Sequence, residues 1–112
     1  AEEYMDKTEF FKKDVKEVKK YSDFVTAFMD LENGRVDAVV GDEIVGRYYM
    51  SKHPDTIDAV DVAVGPVSEF GIAFAKDNTA LRDDVQKVLN EMKADGTIAK
   101  ISEKWFGKDI TK

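Results

Sequence analysis

Residues 36–40 (VDAVV) are the run that most restricts how this chain can fold. The run is apolar and β-branched, with little alternation between apolar and polar side chains. Such a run is typical of a strand buried on both faces, as in a parallel sheet covered by helices. Gly41 and Asp42 follow it directly, and the next residues predict a helix that begins at Glu43. The sequence here therefore indicates a strand, a short loop and a helix in succession.

Predicted helices and strands alternate around this run. Helices are expected at residues 2–11, 24–31, 43–52, 81–92 and 97–106, with Ser22 and Thr97 as N-caps and Gly34 as a stop. Strands are expected at residues 15–21, 36–40, 57–64 and 70–75. This order predicts an α/β fold with a mostly parallel sheet flanked by helices. Because a parallel sheet normally has a strand before such a first helix, we expect a piece of something larger.

Composition narrows the classes of function. The chain has 112 residues, and 17 Lys and Arg against 23 Asp and Glu give a net charge of −6. No basic cluster accompanies this charge, which argues against nucleic acid or anionic lipid as the main partner. The absence of Cys excludes disulfides, thiolate catalysis and structural zinc sites, and one His leaves little room for another metal site. No run approaches the ~18 apolar residues that a membrane span needs.

Asp42 is the strongest candidate for a functional residue. Ligands of open α/β sheets bind beyond the carboxyl ends of the strands, where loops lead into helices, and Asp42 occupies such a place. Its carboxylate would either cap the helix or accept a hydrogen bond from a cationic ligand group. Gly41 would either let a ligand approach the backbone or ease the turn. His53, at the end of that helix, is expected to complement the helix dipole.

No sequence motif indicates catalysis. The chain contains no glycine-rich nucleotide loop, no zinc-protease or calcium-binding motif and no nucleophile elbow. We also find no acid/base pair. The prediction is therefore a protein that is not an enzyme and has no catalytic residues, no cofactor and no metal. Trp105 and Phe106 lie on an amphipathic helix and are expected to pack, either within the domain or against another one.

Four segments resemble one family. Residues 31–43 (LENGRVDAVVGDE) resemble the central segment of the amino-acid-type extracellular solute-binding proteins of ABC importers. Residues 70–74 (FGIAF) with Lys76 are similar to that family's YGIA strand, with Phe in place of the usual Tyr. Residues 95–97 (DGT) and 104–107 (KWFG) resemble its C-terminal signature, and residues 1–4 (AEEY) the helix after its GST loop. The segments occur in order, at suitable spacing, over essentially the whole chain.

The resemblance implies one lobe of a periplasmic-binding-protein type II fold that closes on a polar amino acid. Residues 1–76 would be the second, inserted lobe without its first strand, and a hinge strand would lie near residues 70–76. Residues 77–112 would be the C-terminal helices, which pack on the first lobe. In this family the Asp after the strand receives the α-ammonium of the ligand, a role that falls here to Asp42, with Gly41 beside it.

The resemblance also implies partners and a location. The expected function is delivery of the amino acid to an ABC transporter permease. The expected location of the protein is extracellular or periplasmic, at the cell surface or on the membrane. The family's GST-like loop and its Arg for the ligand carboxylate are missing from this sequence, so we expect weak or undetectable amino-acid binding by this chain. Self-association through Trp105 and Phe106 is a further expectation.

Three alternatives stay open at this stage. A receptor or sensor kinase uses the same fold as its ligand-sensing domain. A phosphoacceptor receiver domain has a similar length and also places an Asp after a buried strand. An enzyme of the cyclohexadienyl-dehydratase type can be built on the same fold, because fold does not fix function.

Overall fold

The computed structural model describes residues 2–111, and its regular secondary structure there is helical. Six helices follow one another along these residues: α1 Glu2–Lys7, α2 Glu9–Lys13, α3 Phe24–Glu32, α4 Glu43–Lys52, α5 Thr79–Ala94 and α6 Thr97–Phe106. The chain divides into two compact units, one that runs to Val67 and one that begins at Ser68. Over the described residues, no helix combines the length and apolarity needed to cross a membrane.

The four predicted strands are absent from residues 2–111, so the expected mostly parallel sheet is not confirmed. No backbone hydrogen bond within this range joins two of the segments predicted as strands. A strand is defined by such bonds to a neighbour, and an apolar pattern alone does not supply the neighbour. Side chains expected to be covered by helices are instead open to solvent: Val60 is 83% exposed and Phe70 is 74% exposed.

The first predicted helix, residues 2–11, is two helices. Thr8 separates α1 from α2 with extended backbone angles of φ −95° and ψ 124°. Its hydroxyl donates to the Tyr4 carbonyl at 2.7 Å. Threonine competes in this way for backbone hydrogen bonds and therefore favours helix ends over helix interiors.

Helix α3 begins one residue later than the predicted cap implies. Asp23, and not Ser22, is the N-cap, and its Oδ1 accepts from the Thr26 backbone N–H at 2.8 Å. The predicted stop is confirmed, since Gly34 has φ +69° and its N–H donates to the Leu31 carbonyl. The Arg35 N–H donates to the Asp30 carbonyl, which completes a Schellman ending.

Helix α4 has the bounds that the sequence predicts, residues 43–52. Helix α5 contains the predicted residues 81–92, and α6 coincides with residues 97–106. Thr97 is not the N-cap of α6, however, because Gly96 takes that position. The carboxylate of Asp95 accepts from the Thr97 N–H at 2.8 Å instead, so an upstream acid satisfies the free amide.

Each unit has a small buried centre. In the first unit, Ala27 and Phe28 of α3 are 4% and 6% exposed. In the second unit, α5 packs on α6. There Ser102 is 2% exposed, and its hydroxyl donates to the Lys108 carbonyl and accepts from the Ile110 N–H. That hydroxyl therefore fastens the residues after α6 onto the helix.

Candidate functional site

Asp42 lies at the N-terminus of α4, on the surface. It is the N-cap by its backbone, with φ −70° and ψ 132°, and its carbonyl accepts from the Gly46 N–H at 3.0 Å. Its side chain makes no capping hydrogen bond to α4. The capping role that the sequence left open for this carboxylate is therefore not used, and its oxygens are open to other donors.

Gly41 is packed against an aromatic ring. A Cβ at this position would overlap the Phe24 ring at Cε1 and would lie 3.0 Å from Cζ and 3.1 Å from Cδ1. Gly41 is not among the glycines with positive φ, so its backbone does not by itself demand glycine. The side chain is excluded here by the ring of Phe24, at the start of α3.

Phe24 is the first ring of a column that joins α3 to α4. Its ring stacks on Phe28 at 6.3 Å between centroids, Phe28 stacks on Tyr49 at 4.6 Å, and Tyr49 stacks on His53 at 4.2 Å. Each helix supplies two rings at a spacing of four residues, which places them on one face. The column therefore runs from the Gly41 end of α4 to the helix end that the sequence predicted, where His53 is the C-cap.

The far end of the column is held by Glu32. The imidazole Nδ1 of His53 lies 3.0 Å from Glu32 Oε1, and the Tyr49 hydroxyl donates to Oε2 at 3.0 Å. Thr56 donates to Oε1 at 2.7 Å, and this bond is the main reason that the pKa of Glu32 lies below its usual value. Burial, followed by the bond to Glu32, raises the pKa of Tyr49.

Asp30 is a second anchored carboxylate in the first unit, and it is 8% exposed. Lys19 donates to it at 2.7 Å, Arg35 at 2.9 Å and Tyr21 at 2.8 Å. These donors, Lys19 foremost, hold the pKa of Asp30 well below its usual range. A buried charge requires such partners, and here they tie residues 19–21 to α3.

Neither anchored carboxylate, Asp30 or Glu32, was predicted from the sequence. Asp30 follows Ala27 by three residues and so lies on the apolar face of α3, a position where an unpaired charge is costly. That placement could have marked it as a paired carboxylate. The pairing of Glu32 with His53 and Thr56 had no comparable signal, because its members are 21 and 24 residues apart in the chain.

The second unit carries an open groove of about 720 Å³ between residues 70–76 and α5. Phe70, Ile72 and Phe74 line it from one side and Val85 and Leu89 from α5, together with the polar residues Lys76, Asn78, Arg82 and Gln86. Phe70 and Ile72 are 74% and 62% exposed. An apolar groove of this kind is a surface that another protein segment can cover.

The two remaining candidate residues, Trp105 and Phe106, differ in how far they are exposed. Trp105 of α6 is 48% exposed, whereas Phe106 is partly buried. Among residues 2–111, no group of three or more His, Asp or Glu side chains is arranged to hold a metal ion. The candidate site consists of the Asp42 carboxylate at the N-terminus of α4 and the Phe24 ring, which packs against Gly41.

Asp42 is thus an exposed acid between an apolar segment and a helix. The sequence profile of the bacterial extracellular solute-binding proteins, family 3, matches residues 5–108. The chain belongs to this family. Its members are solute-binding proteins and not enzymes, and they act outside the cytoplasm. This membership supports the resemblance and removes the basis for the receiver-domain alternative.

Curated relatives agree with this assignment. The chain is 38% identical over 96 residues to the L-cystine-binding protein TcyJ of Escherichia coli, covering 86% of this chain and 36% of that protein. It is 38% identical over 89 residues to the ABC transporter arginine-binding protein 1 of the same organism, covering 77% and 37%. The L-cystine-binding protein TcyA of Bacillus subtilis is 34% identical over 86 residues, covering 77% and 32%.

The chain spans about a third of the length of these relatives. No solved structure is a significant match to it.

Proposed function

We propose that this chain is the ligand-capturing second lobe and closing segment of a solute-binding protein that delivers a polar amino acid to an ABC transporter permease. Relatives named for cystine, arginine and histidine binding support an amino acid as the ligand class. The observation that carries the proposal is the Asp42 carboxylate, which is exposed at the start of α4 and not used as a cap.

Asp42 would accept a hydrogen bond from the α-ammonium of the ligand. A carboxylate and an ammonium form a charge-assisted bond, which is about twice as strong as a neutral one. The bond strengthens when a closing cleft removes water from around it. Gly41 would present its backbone next to the ligand, on the side away from the Phe24 ring.

The proposed division of the chain follows the resemblance. Residues 1–76 would form the second lobe, with residues 70–76 at the hinge, and residues 77–112 would pack on a first lobe. The groove along α5, with Phe70 and Ile72 largely exposed, is the kind of apolar surface that such a contact would bury. Strands contributed by the longer protein would give residues 36–40 and 57–64 the ladder partners that a sheet requires.

Closure would depend on contacts that the ligand makes with both lobes, since a ligand shifts a conformational equilibrium only by its differential affinity. The second lobe alone should therefore bind amino acids weakly. Attachment at the cell surface belongs to the same proposal. Self-association through Trp105 and Phe106 stays a prediction, and light scattering that gives a monomer mass would contradict it.

The proposal is tested by NMR titration of the ¹⁵N-labelled chain with L-arginine at millimolar concentration. We expect chemical-shift changes centred on Gly41, Asp42 and the first turn of α4, with millimolar or weaker affinity. Asp42→Asn should abolish them, because the amide lacks the charge. N-acetyl-L-arginine should not reproduce them, because it keeps the guanidinium but has no α-ammonium.

Asp37→Asn is the matched control, since Asp37 is an exposed acid close in sequence to Asp42. This variant should titrate like the unmodified chain. Equal shifts for Asp42→Asn and the unmodified chain, or for L-arginine and its N-acetyl form, would refute the role of Asp42. Micromolar binding in calorimetry would refute the idea that one lobe supplies only part of the affinity.

A further inference from the structure

We infer that Phe24 is a positioning residue for the Asp42 carboxylate, an inference that rests on the proposed function of Asp42. Phe24 is the first residue of α3 and lies 18 positions before Asp42 in the chain. Its ring fills the volume in which a side chain at residue 41 would stand. The peptide that leads into Asp42 is therefore packed against a different helix from the one that Asp42 begins.

The ring is itself fixed in two ways. Asp23, the preceding residue, caps α3 through the Thr26 N–H and hydroxyl, which fixes the backbone that carries the ring. On its other side the ring stacks on Phe28, which is 6% exposed and stacks in turn on Tyr49 of α4. Phe24 thus meets residue 41 as part of a packed column and not as a loose surface side chain.

Asp42 is restrained from two directions as a result. Its carbonyl is bonded to the Gly46 N–H inside α4, which fixes the side of the residue that leads into the helix. The residue before Asp42 is Gly41, and glycine has the widest backbone freedom of all residues. Contact with the Phe24 ring limits that freedom, so the direction in which the carboxylate leaves the chain depends on the ring.

Glycine at residue 41 has a specific consequence under this inference. Its φ is not positive, so alanine is compatible with the backbone, and the cost of alanine arises from overlap with the ring. Removing the ring should remove that cost. Gly41 and Phe24 should therefore be coupled, each substitution changing the effect of the other.

The first experiment is a double-variant cycle on the full chain with Gly41→Ala, Phe24→Ala and both together, measured as the midpoint of urea unfolding. Gly41→Ala should lower the midpoint at least twice as much in the unmodified chain as in the Phe24→Ala chain. Equal losses in the two backgrounds would overturn the contact on which the inference depends.

The second experiment measures the position of Asp42 directly. In ¹⁵N relaxation, the backbone order parameter of Asp42 should fall from about 0.85 in the unmodified chain to below about 0.6 in Phe24→Ala. The L-arginine shift at Asp42, corrected for the folded fraction, should fall by roughly half or more at fixed concentration. Phe24→Leu keeps an apolar side chain against Gly41 and should restore most of both signals. If Phe24→Ala does not fold, Phe24→Val takes its place, because its shorter side chain keeps some apolar volume but does not reach Gly41.

Two controls separate positioning from general stability. Val25→Ala alters an adjacent side chain that is 58% exposed, and Tyr49→Phe removes a hydroxyl at the distant end of the column. Both should leave the Asp42 order parameter and the L-arginine shift unchanged. If Phe24→Ala lowers the unfolding midpoint but leaves the order of Asp42 intact, the inference is wrong. If Asp42→Asn binds L-arginine normally, the proposed function fails, and the order parameter alone still decides the role of Phe24.

Discussion

Replacing Ser102 by alanine should detach the residues that follow α6. Ser102 is 2% exposed, and its hydroxyl donates to the Lys108 carbonyl at 3.0 Å and accepts from the Ile110 N–H at 2.9 Å. Alanine fits the same volume but offers neither a donor nor an acceptor. Both backbone groups then lose their bond to Ser102.

The magnitude follows from these two bonds. Each intramolecular hydrogen bond contributes about 0.5–1.5 kcal/mol net, and an unsatisfied buried group costs about 1–3 kcal/mol. Residues 109–111 are only partly buried, so they can relax toward water and the lower values apply. Alanine gains up to about 0.5 kcal/mol over serine in helix propensity. The two bonds together are worth about 1–2 kcal/mol, so after the gain in helix propensity the expected loss in the free energy of unfolding is about 0.5–2 kcal/mol.

The assay uses the single tryptophan of the chain. Trp105 lies three residues after Ser102 in α6, so its fluorescence during urea unfolding reports on the second unit. Hydrogen exchange at the Ile110 amide measures the local bond. Ser51→Ala is the matched control, because Ser51 lies in α4, is exposed and bonds only to the Tyr48 carbonyl among the described residues. Unchanged exchange at Ile110, or equal losses in both variants, would refute the reasoning.

Two further predictions concern the first unit. Phe28→Ala should lower the free energy of unfolding by about 3 kcal/mol, measured by thermal unfolding. This value is the lower end for a buried phenylalanine, because Phe24 and Tyr49 are partly exposed and can close the space. Val25→Ala, on the exposed face of α3, should cost under about 0.5 kcal/mol in the same assay. The pKa of Asp30 is lowered by folding, chiefly by Lys19, so the unfolded chain binds the proton first as the pH falls. The stabilisation by Asp30 is therefore complete above about pH 5 and is lost in acid. Asp30→Asn should be less stable than the unmodified chain at pH 7, and its stability should decline less steeply below about pH 5. Hydrogen exchange in α3 measures both effects. An identical acid decline in Asp30→Asn would contradict this assignment.

Local patterns predicted the helices well, whereas the predicted strands are not confirmed. The apolar positions of α3, α4 and α6 recur at helical spacing, and the bonds of a helix join residues four apart, so the pattern and the bonds lie in the same segment. Residues 57–64 and 70–75 have apolar patterns of equal clarity. Their ladder bonds would come from distant residues, and no local pattern specifies whether those partners are present.

The same distinction explains what was predictable at the site. The order VDAVV, Gly41, Asp42 and then a helix placed Asp42 at the start of α4 without any tertiary information. The contact between Phe24 and Gly41 links residues 17 positions apart, and neither residue alone indicates the other. Sequence reasoning therefore found the carboxylate but not the ring behind it.

The carboxylates of the first unit differ most in how fully their oxygens are bonded. Asp30 accepts from three side chains and Glu32 from Tyr49 and Thr56, so both are committed to holding α3 in place. Asp42, by contrast, has no hydrogen bond or ion pair to its carboxylate within residues 2–111. A net charge of −6 does not distinguish these roles. A carboxylate that is held by its backbone while its oxygens stay open can bind an incoming cation without first breaking a bond within the protein, and for that reason Asp42 is a better candidate ligand-binding residue than either anchored acid.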